Sequence, residues 1–348
     1  MRQTLIRLLL VAMLALGAVA VAACGDDEGS DGGGGASSTP AKKKIRVAMV
    51  TDIGGLNDRS FNALAYKGLK QAKSDLGADI RVVTSKSNQD YVPNLSTLAR
   101  QKYDLVVAVG FLMADATAKV AKSFPQTNFA IIDFSQSLLK GKPKNVHGLL
   151  FKEQEAGYLA GYLAALHAKD AGGKQVISSV GGQKIPPVDH YIAGYQAGAK
   201  KANPQVKTLN GYSQDFVDPA KCKEIALNQI GEGSQVVFAV AGQCGLGALD
   251  AAKEKDVQGI GVDADQSYLG AQILTSALKK VDVAVFDTAK EVQDGTFKEG
   301  TDSTFEVKNN GVGFGKVNAE GQPFKSDIDK VQQQIASGEV ADIPDTVK

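Results

Sequence analysis

The sequence predicts an α/β chain made of two doubly wound parallel-sheet lobes in tandem, joined by a hinge that the chain crosses several times. Three observations predict this. Short β-branched runs alternate with helically periodic stretches from Lys43 onward, the alternation restarts after Leu150, and the material beyond Val262 is too small for a third domain. The economical arrangement returns that last stretch once to each lobe.

The first strand is expected at residues 45–50. The helix after it places Phe61, Leu64, Ala65, Gly68, Leu69, Ala72 and Leu76 on one face. Further strands are expected at 80–84, 105–109 and 129–134, separated by helical segments, which is a repeated βαβ pattern. The second series opens with a long amphipathic helix at 153–168 and continues with strands near 175–180, 206–211, 236–241 and 259–262. The tail offers a strand near 273–278, a helix near 281–292, a strand near 304–307 and a final helix near 328–337. The expected lobes are 43–147 plus 270–297 and 148–269 plus 298–348, and no repeat of solenoid period is evident.

The chain starts with Arg2 and Arg7, runs apolar from Leu8 to Ala23, and turns polar at Gly25-Asp26-Asp27-Glu28. The apolar run is shorter than the roughly 20 residues that cross a bilayer, so a cleaved export signal at 1–23 is expected. Val21-Ala22-Ala23-Cys24 resembles the lipobox of bacterial lipoproteins, which implies acylation of Cys24 and a stable membrane anchor. The stretch 24–42 is dominated by Gly, Ser, Asp and Thr; it has little to bury and is expected to be a tether. Over the whole chain 39 basic residues face 38 acidic ones, and losing Arg2 and Arg7 tips the balance just to the acidic side. That composition implies no nucleic-acid partner.

Ligands of open α/β sheets meet the carboxyl ends of the strands, so the loops there carry the site. After the first strand come Gly54 and Gly55, then Asn57, Asp58 and Phe61 grouped at a cleft edge, where Asn57 or Asp58 can also cap the helix. The third strand runs into Phe111 and Asp115; the first can equally be core and the second an N-cap. In the second lobe Phe216, Gly242-Gln243-Cys244-Gly245 and Asp263 follow strands, and Asp218-Pro219 starts a helix. Carboxylates beside aromatics suit a neutral hydroxylated ligand with a flat ring, such as a nucleoside. Free phosphates demand several cations or a phosphate-cradling loop, and Lys279 alone is a poor candidate for that role.

Enzymatic readings fare worse. The glycine-rich segment 242–247 lacks both the dinucleotide spacing and the Lys-Ser/Thr ending of a phosphate loop. His147, His167 and His190 show no metal-ligand spacing, so neither metal nor cofactor is expected, and a Cys244/His190 nucleophile pair lacks an orienting third group. Cys222 and Cys244 fall near the starts of successive helices on one side of the second lobe. A bridge between them suits an oxidising exterior better than two free thiols.

Six ordered segments carry a more specific resemblance: 52–62, Gly110–Asp115, 153–161, 181–187, 261–266 and 275–280. Over nearly everything from Ile45 to the last helix, the chain resembles the basic membrane lipoprotein family, substrate-binding components of ABC transporters that include purine nucleoside receptors. The resemblance implies a type I periplasmic-binding fold that closes on a nucleoside and presents it to a permease pair with a cytoplasmic ATPase; the chain is expected to be a monomer. It implies ligand contacts from Asn57, Asp58, Asp115, Asp263 and Lys279; Gly245 is a further candidate contact, and Phe61 and Phe216, with Phe111 after them, are candidates for enclosing the base. For Asp263 the alternative is an ion pair with Lys279. Where many relatives carry Ala-Gly-Gly-Thr-Gly, this chain has Ala241-Gly242-Gln243-Cys244-Gly245, a departure able to alter base preference. Two other functions compete with import: an extracytoplasmic sensor docking on a receptor, and a nucleoside-processing hydrolase.

Overall fold

The structure, a computed structural model, describes residues 43–347; the expected leader at 1–23, Cys24 and the expected tether at 24–42 lie outside the described residues. In chain order the elements are β1 (Arg46–Val50), α1 (Phe61–Leu76), β2 (Asp79–Val83), α2 (Tyr91–Arg100), β3 (Leu105–Ala108), α3 (Ala114–Ser123), β4 (Asn128–Ile132) and β5 (Val146–Phe151). Then follow α4 (Glu153–Asp170), β6 (Val176–Gly181), α5 (Pro186–Ala202), β7 (Lys207–Tyr212), α6 (Pro219–Gly231), β8 (Ser234–Val240), α7 (Gly242–Glu254) and β9 (Gln258–Asp263). The tail holds β10 (Ile273–Lys279), α8 (Val281–Asp294), β11 (Asp302–Phe305), β12 (Val312–Phe314) and α9 (Lys325–Ser337).

The strands form two sheets, ordered β11-β5-β4-β3-β1-β2 and β12-β10-β9-β8-β6-β7. Every pairing is parallel except that of β12 with β10. Strands covered on both faces must be apolar throughout, and Leu105, Val106, Val107 and Ala108 of central β3 are all fully buried. The period of two divides β1 between the faces. Val47 and Met49 join the cluster containing Leu69 of α1, whereas Ala48 and Val50 join Leu95 of α2 and Val120 of α3.

Sheet membership corrects the expected lobe limits in three places. The strand near 273–278, placed with the first lobe, is β10 and pairs with β9 in the second sheet. The boundary at 147/148 falls inside β5, which belongs wholly to the first sheet, and so does β11, expected in the second lobe. A short buried strand looks the same whichever sheet receives it, because its partners are set by tertiary contacts. The chain therefore crosses between sheets after β5, after β10 and after β11. The three-residue β12 was not expected; Gly311, Gly313 and Gly315 break its pattern.

The second sheet is covered on one side by the pair α4 and α5. Their backbones approach so closely that a Cβ on Gly157 or Gly161 would overlap the carbonyl oxygens of Tyr191 and Tyr195, while Gly194 and Gly198 meet those of Gln154 and Tyr158. This reciprocal glycine seam lets α4 sit buried with Glu153 at its N-terminus pointing to the sheet ends. Gly161→Ala adds helix propensity yet is expected to destabilise the protein by about 2–4 kcal/mol, because the backbones must separate. Urea unfolding measures this, and a net stabilisation would contradict such close packing.

Candidate ligand-binding cleft

The carboxyl ends of both sheets face a common cleft of about 610 Å³, counting its open mouth. Of the residues singled out from sequence, Asp58, Phe61, Phe111, Phe216, Asp263 and Lys279 line it. Asn57 and Asp115 are exposed elsewhere, and Gly245 lies inside α7, packed on Ala239.

At the centre, Lys279 ends β10 with 2% of its side chain exposed. Its Nζ lies 2.6 Å from Asp133 Oδ1 and 2.8 Å from Glu153 Oε1. Glu153 Oε2 meets His190 Nδ1 at 3.0 Å, and the rings of Phe61 and Phe151 stand 5.1 and 4.9 Å from the ammonium. Burial works against the charge on Lys279, but Asp133, Glu153 and Asp263 outweigh it and hold the ammonium protonated well above its usual range. Three carboxylates share that one cation. Burial, offset in part by Lys279 and reinforced by Glu153, pushes Asp133 up to about 7. Glu153 stays low despite its burial, because Lys279 and His190 both favour its charge. Lys279 thus pairs with Asp133 and Glu153, and the alternative pairing with Asp263 is not what the geometry contains.

Asp263 ends β9 and Asp133 follows β4, the third strand of each sheet order, and both adopt left-handed backbone (φ 60° and 67°). Each side chain is thereby turned across the cleft rather than along its strand. Asp263 accepts from Tyr191 Oη at 3.1 Å and from Ser60 Oγ of the opposite lobe at 3.2 Å. Gln266 Nε2 also reaches across, donating to the Arg59 carbonyl at 3.3 Å.

Asp58 lines the cleft and takes the helix-capping role that the sequence also allowed it. It accepts from the backbone N–H groups of Ser60 (3.1 Å), Asn62 (2.7 Å) and Ala63 (3.0 Å) and from Asn62 Nδ2 (3.0 Å), so its lone pairs are committed to the start of α1. The carboxylate with spare capacity is Asp52. Its Oδ1 accepts from Tyr91 Oη in a short bond and from the Ile53 N–H at 2.7 Å, but its Oδ2 has no hydrogen-bond partner among the described residues. Gly110 makes room for that oxygen, since a Cβ there would stand 2.8 Å from it. Burial, eased by the bonds from Tyr91 and Ile53, pushes Asp52 up to about 6.

Sequence reasoning passed over Asp52, Asp133, Glu153 and Tyr191. Asp133 was hidden inside the expected strand at 129–134. The available signal was its likeness to Val262-Asp263: an apolar strand ending in Asp, in Ile131-Ile132-Asp133 as well. Cys222 and Cys244 are both fully buried, with their sulfur atoms within bonding distance and their Cα atoms 5.5 Å apart.

Burial pushes Asp263 up to about 6, against the pull of Lys279 and the bonds from Tyr191 and Ser60. A carboxyl whose pKa is raised by folding binds its proton more tightly folded than unfolded. Stability from this group is therefore lost as pH rises from about 4 through about 6. Asp263→Asn removes that loss. Urea unfolding at pH 4 and pH 7 should find the variant gaining on wild type by up to about 3 kcal/mol across the interval, and a gap that does not change with pH would contradict the burial argument.

Comparison with known proteins agrees with this architecture. Residues 45–344 match the family model described as ABC transporter substrate-binding protein PnrA-like. An ABC transporter nucleoside-binding protein, BmpA, of Lactococcus lactis subsp. cremoris is 35% identical, with 96% of this chain and 98% of the relative covered. An uncharacterised lipoprotein of Pyrococcus horikoshii is 40% identical over 78% of this chain and 69% of its own. Among solved structures, an ABC transporter solute-binding protein from Aeropyrum pernix superposes with TM-score 0.78 at 29% identity, covering 86% of this chain and 94% of that one. One from Conexibacter woesei gives 0.70 at 26% identity, covering 87% and 100%. The fold is the type I periplasmic solute-binding fold, and the chain belongs to the family of PnrA-like ABC transporter substrate-binding proteins.

Proposed function

We propose that this protein is a lipid-anchored extracytoplasmic receptor that closes on a nucleoside, purine foremost, and hands it unchanged to an ABC permease pair driven by a cytoplasmic ATPase. The observation that carries the reading is the division of labour in the cleft. Phe61, Phe111 and Phe216 supply flat apolar walls, and Asp52 Oδ2 is an uncommitted acceptor beside them. The cleft's buried cation, Lys279, is already engaged by two carboxylates. Such a site favours a ring with hydroxyl or amine donors over an anion. The name carried by the Lactococcus relative supports the same class.

Closure is the working step in this reading. Asp263 with Ser60, and Lys279 with Asp133, join opposite lobes only when these approach, so a ligand that adds contacts to both lobes favours the closed form. Acyl chains on Cys24 would keep the receptor near its permease, and the oxidising exterior would keep Cys222 and Cys244 bridged.

The test is calorimetry on the mature protein with purine and pyrimidine nucleosides, free bases, pentoses and amino acids, together with chromatography of the recovered ligand. Purine nucleosides are expected to bind at micromolar or tighter Kd and to be recovered intact. Binding of sugars or amino acids with every nucleoside failing would refute the ligand class, and product formation would refute a receptor role.

A further inference from the structure

We infer that Gln243 is the specificity-determining residue of the cleft, with its carboxamide pairing to a ring edge of the ligand that carries a donor next to an acceptor. This rests on the nucleoside reading above. Most polar groups around the cleft are already engaged with each other. Asp58 is saturated, and Asn62 donates to Asp58 while accepting from the Asp52 N–H. Tyr191 donates to Asp263, and Lys279 is held by Asp133 and Glu153. Gln243 lines the same cleft from the second lobe, and its side chain has no hydrogen-bond partner among the described residues. A half-buried carboxamide left free in this way has two donors and one acceptor in a single plane to offer.

The backbone on either side of Gln243 is fixed. Gly242 has φ 55°, and a Cβ there would stand 3.4 Å from the Phe216 carbonyl oxygen. The Cys244 N–H donates to that same oxygen at 3.1 Å, and Cys244 is tied to Cys222 of α6. Phe216 therefore stands beside the start of α7, and Gln243 is the unpaired side chain between two anchored neighbours. An amide held next to an aromatic wall is placed to meet the edge of a ring lying against that wall, which is how one side chain can choose among ligands of similar shape.

The experiment compares inosine, whose six-membered ring presents N1–H beside O6, with purine riboside, which has neither group. Calorimetric Kd values are measured for wild type, Gln243→Ala and the volume-preserving Gln243→Met, with circular dichroism melting to confirm folding. Both variants are expected to lose about tenfold in affinity for inosine and less than about twofold for purine riboside. Equal losses on the two ligands, or none on inosine, would overturn the assignment. Wild-type protein binding neither ligand would instead remove the nucleoside reading beneath it, an outcome separate from the other two.

Discussion

The rest of this structure is arranged around one buried ammonium. Lys279 is almost fully enclosed, and its charge is tolerable only because Asp133 and Glu153 lie within 2.8 Å of it. Those two carboxylates come from different lobes: Asp133 follows β4 of the first sheet, and Glu153 begins α4, which covers the second. A charge that must be neutralised from both sides constrains how the lobes can meet.

Other features can be understood as means to that constraint. The left-handed backbone at Asp133 and Asp263, at matching positions in the two sheets, turns two strand-end carboxylates into the cleft. The glycine seam between α4 and α5 brings Glu153 and His190 together and presents Glu153 to Lys279. Asp58 ties down the start of α1, which fixes Ser60 where it can reach Asp263. The contacts between the lobes and the lining of the cleft thus draw on one set of groups. The second lobe adds the cysteine pair that joins α6 to α7 behind Phe216 and Gln243.

Much of this was legible in the sequence, and the rest was not for definite reasons. Periodicity located the strands and the long helices, because sheets covered on both faces impose continuous apolar runs such as Leu105–Ala108. The rule that ligands meet strand carboxyl ends pointed to Phe61, Phe111, Phe216 and Asp263, all of which line the cleft, whereas Lys279 came with the family resemblance. The same rule left Asp58 between capping and ligand contact, because whether a loop carboxylate spends its lone pairs on a helix start or keeps them for a ligand depends on local turns invisible to composition. Asp133 was lost inside an apolar run, since nothing in the sequence announces a positive φ at a non-glycine residue. The sheet that receives β10 was misjudged because strand pairing at long range is a tertiary property.

If the Lys279 network governs how the lobes meet, then breaking only its cross-lobe arm should change the distribution of lobe separations without unfolding either sheet. Asp133→Asn does this, since Glu153 remains to neutralise Lys279. Pulsed electron-spin distance measurements between a label on α2 and one on α6, with and without a saturating nucleoside, test the claim most directly. The account predicts a single narrow, short distance for liganded wild type and a broader, longer distribution for the liganded variant, with unchanged secondary structure. Identical narrow distributions in the two proteins would contradict it.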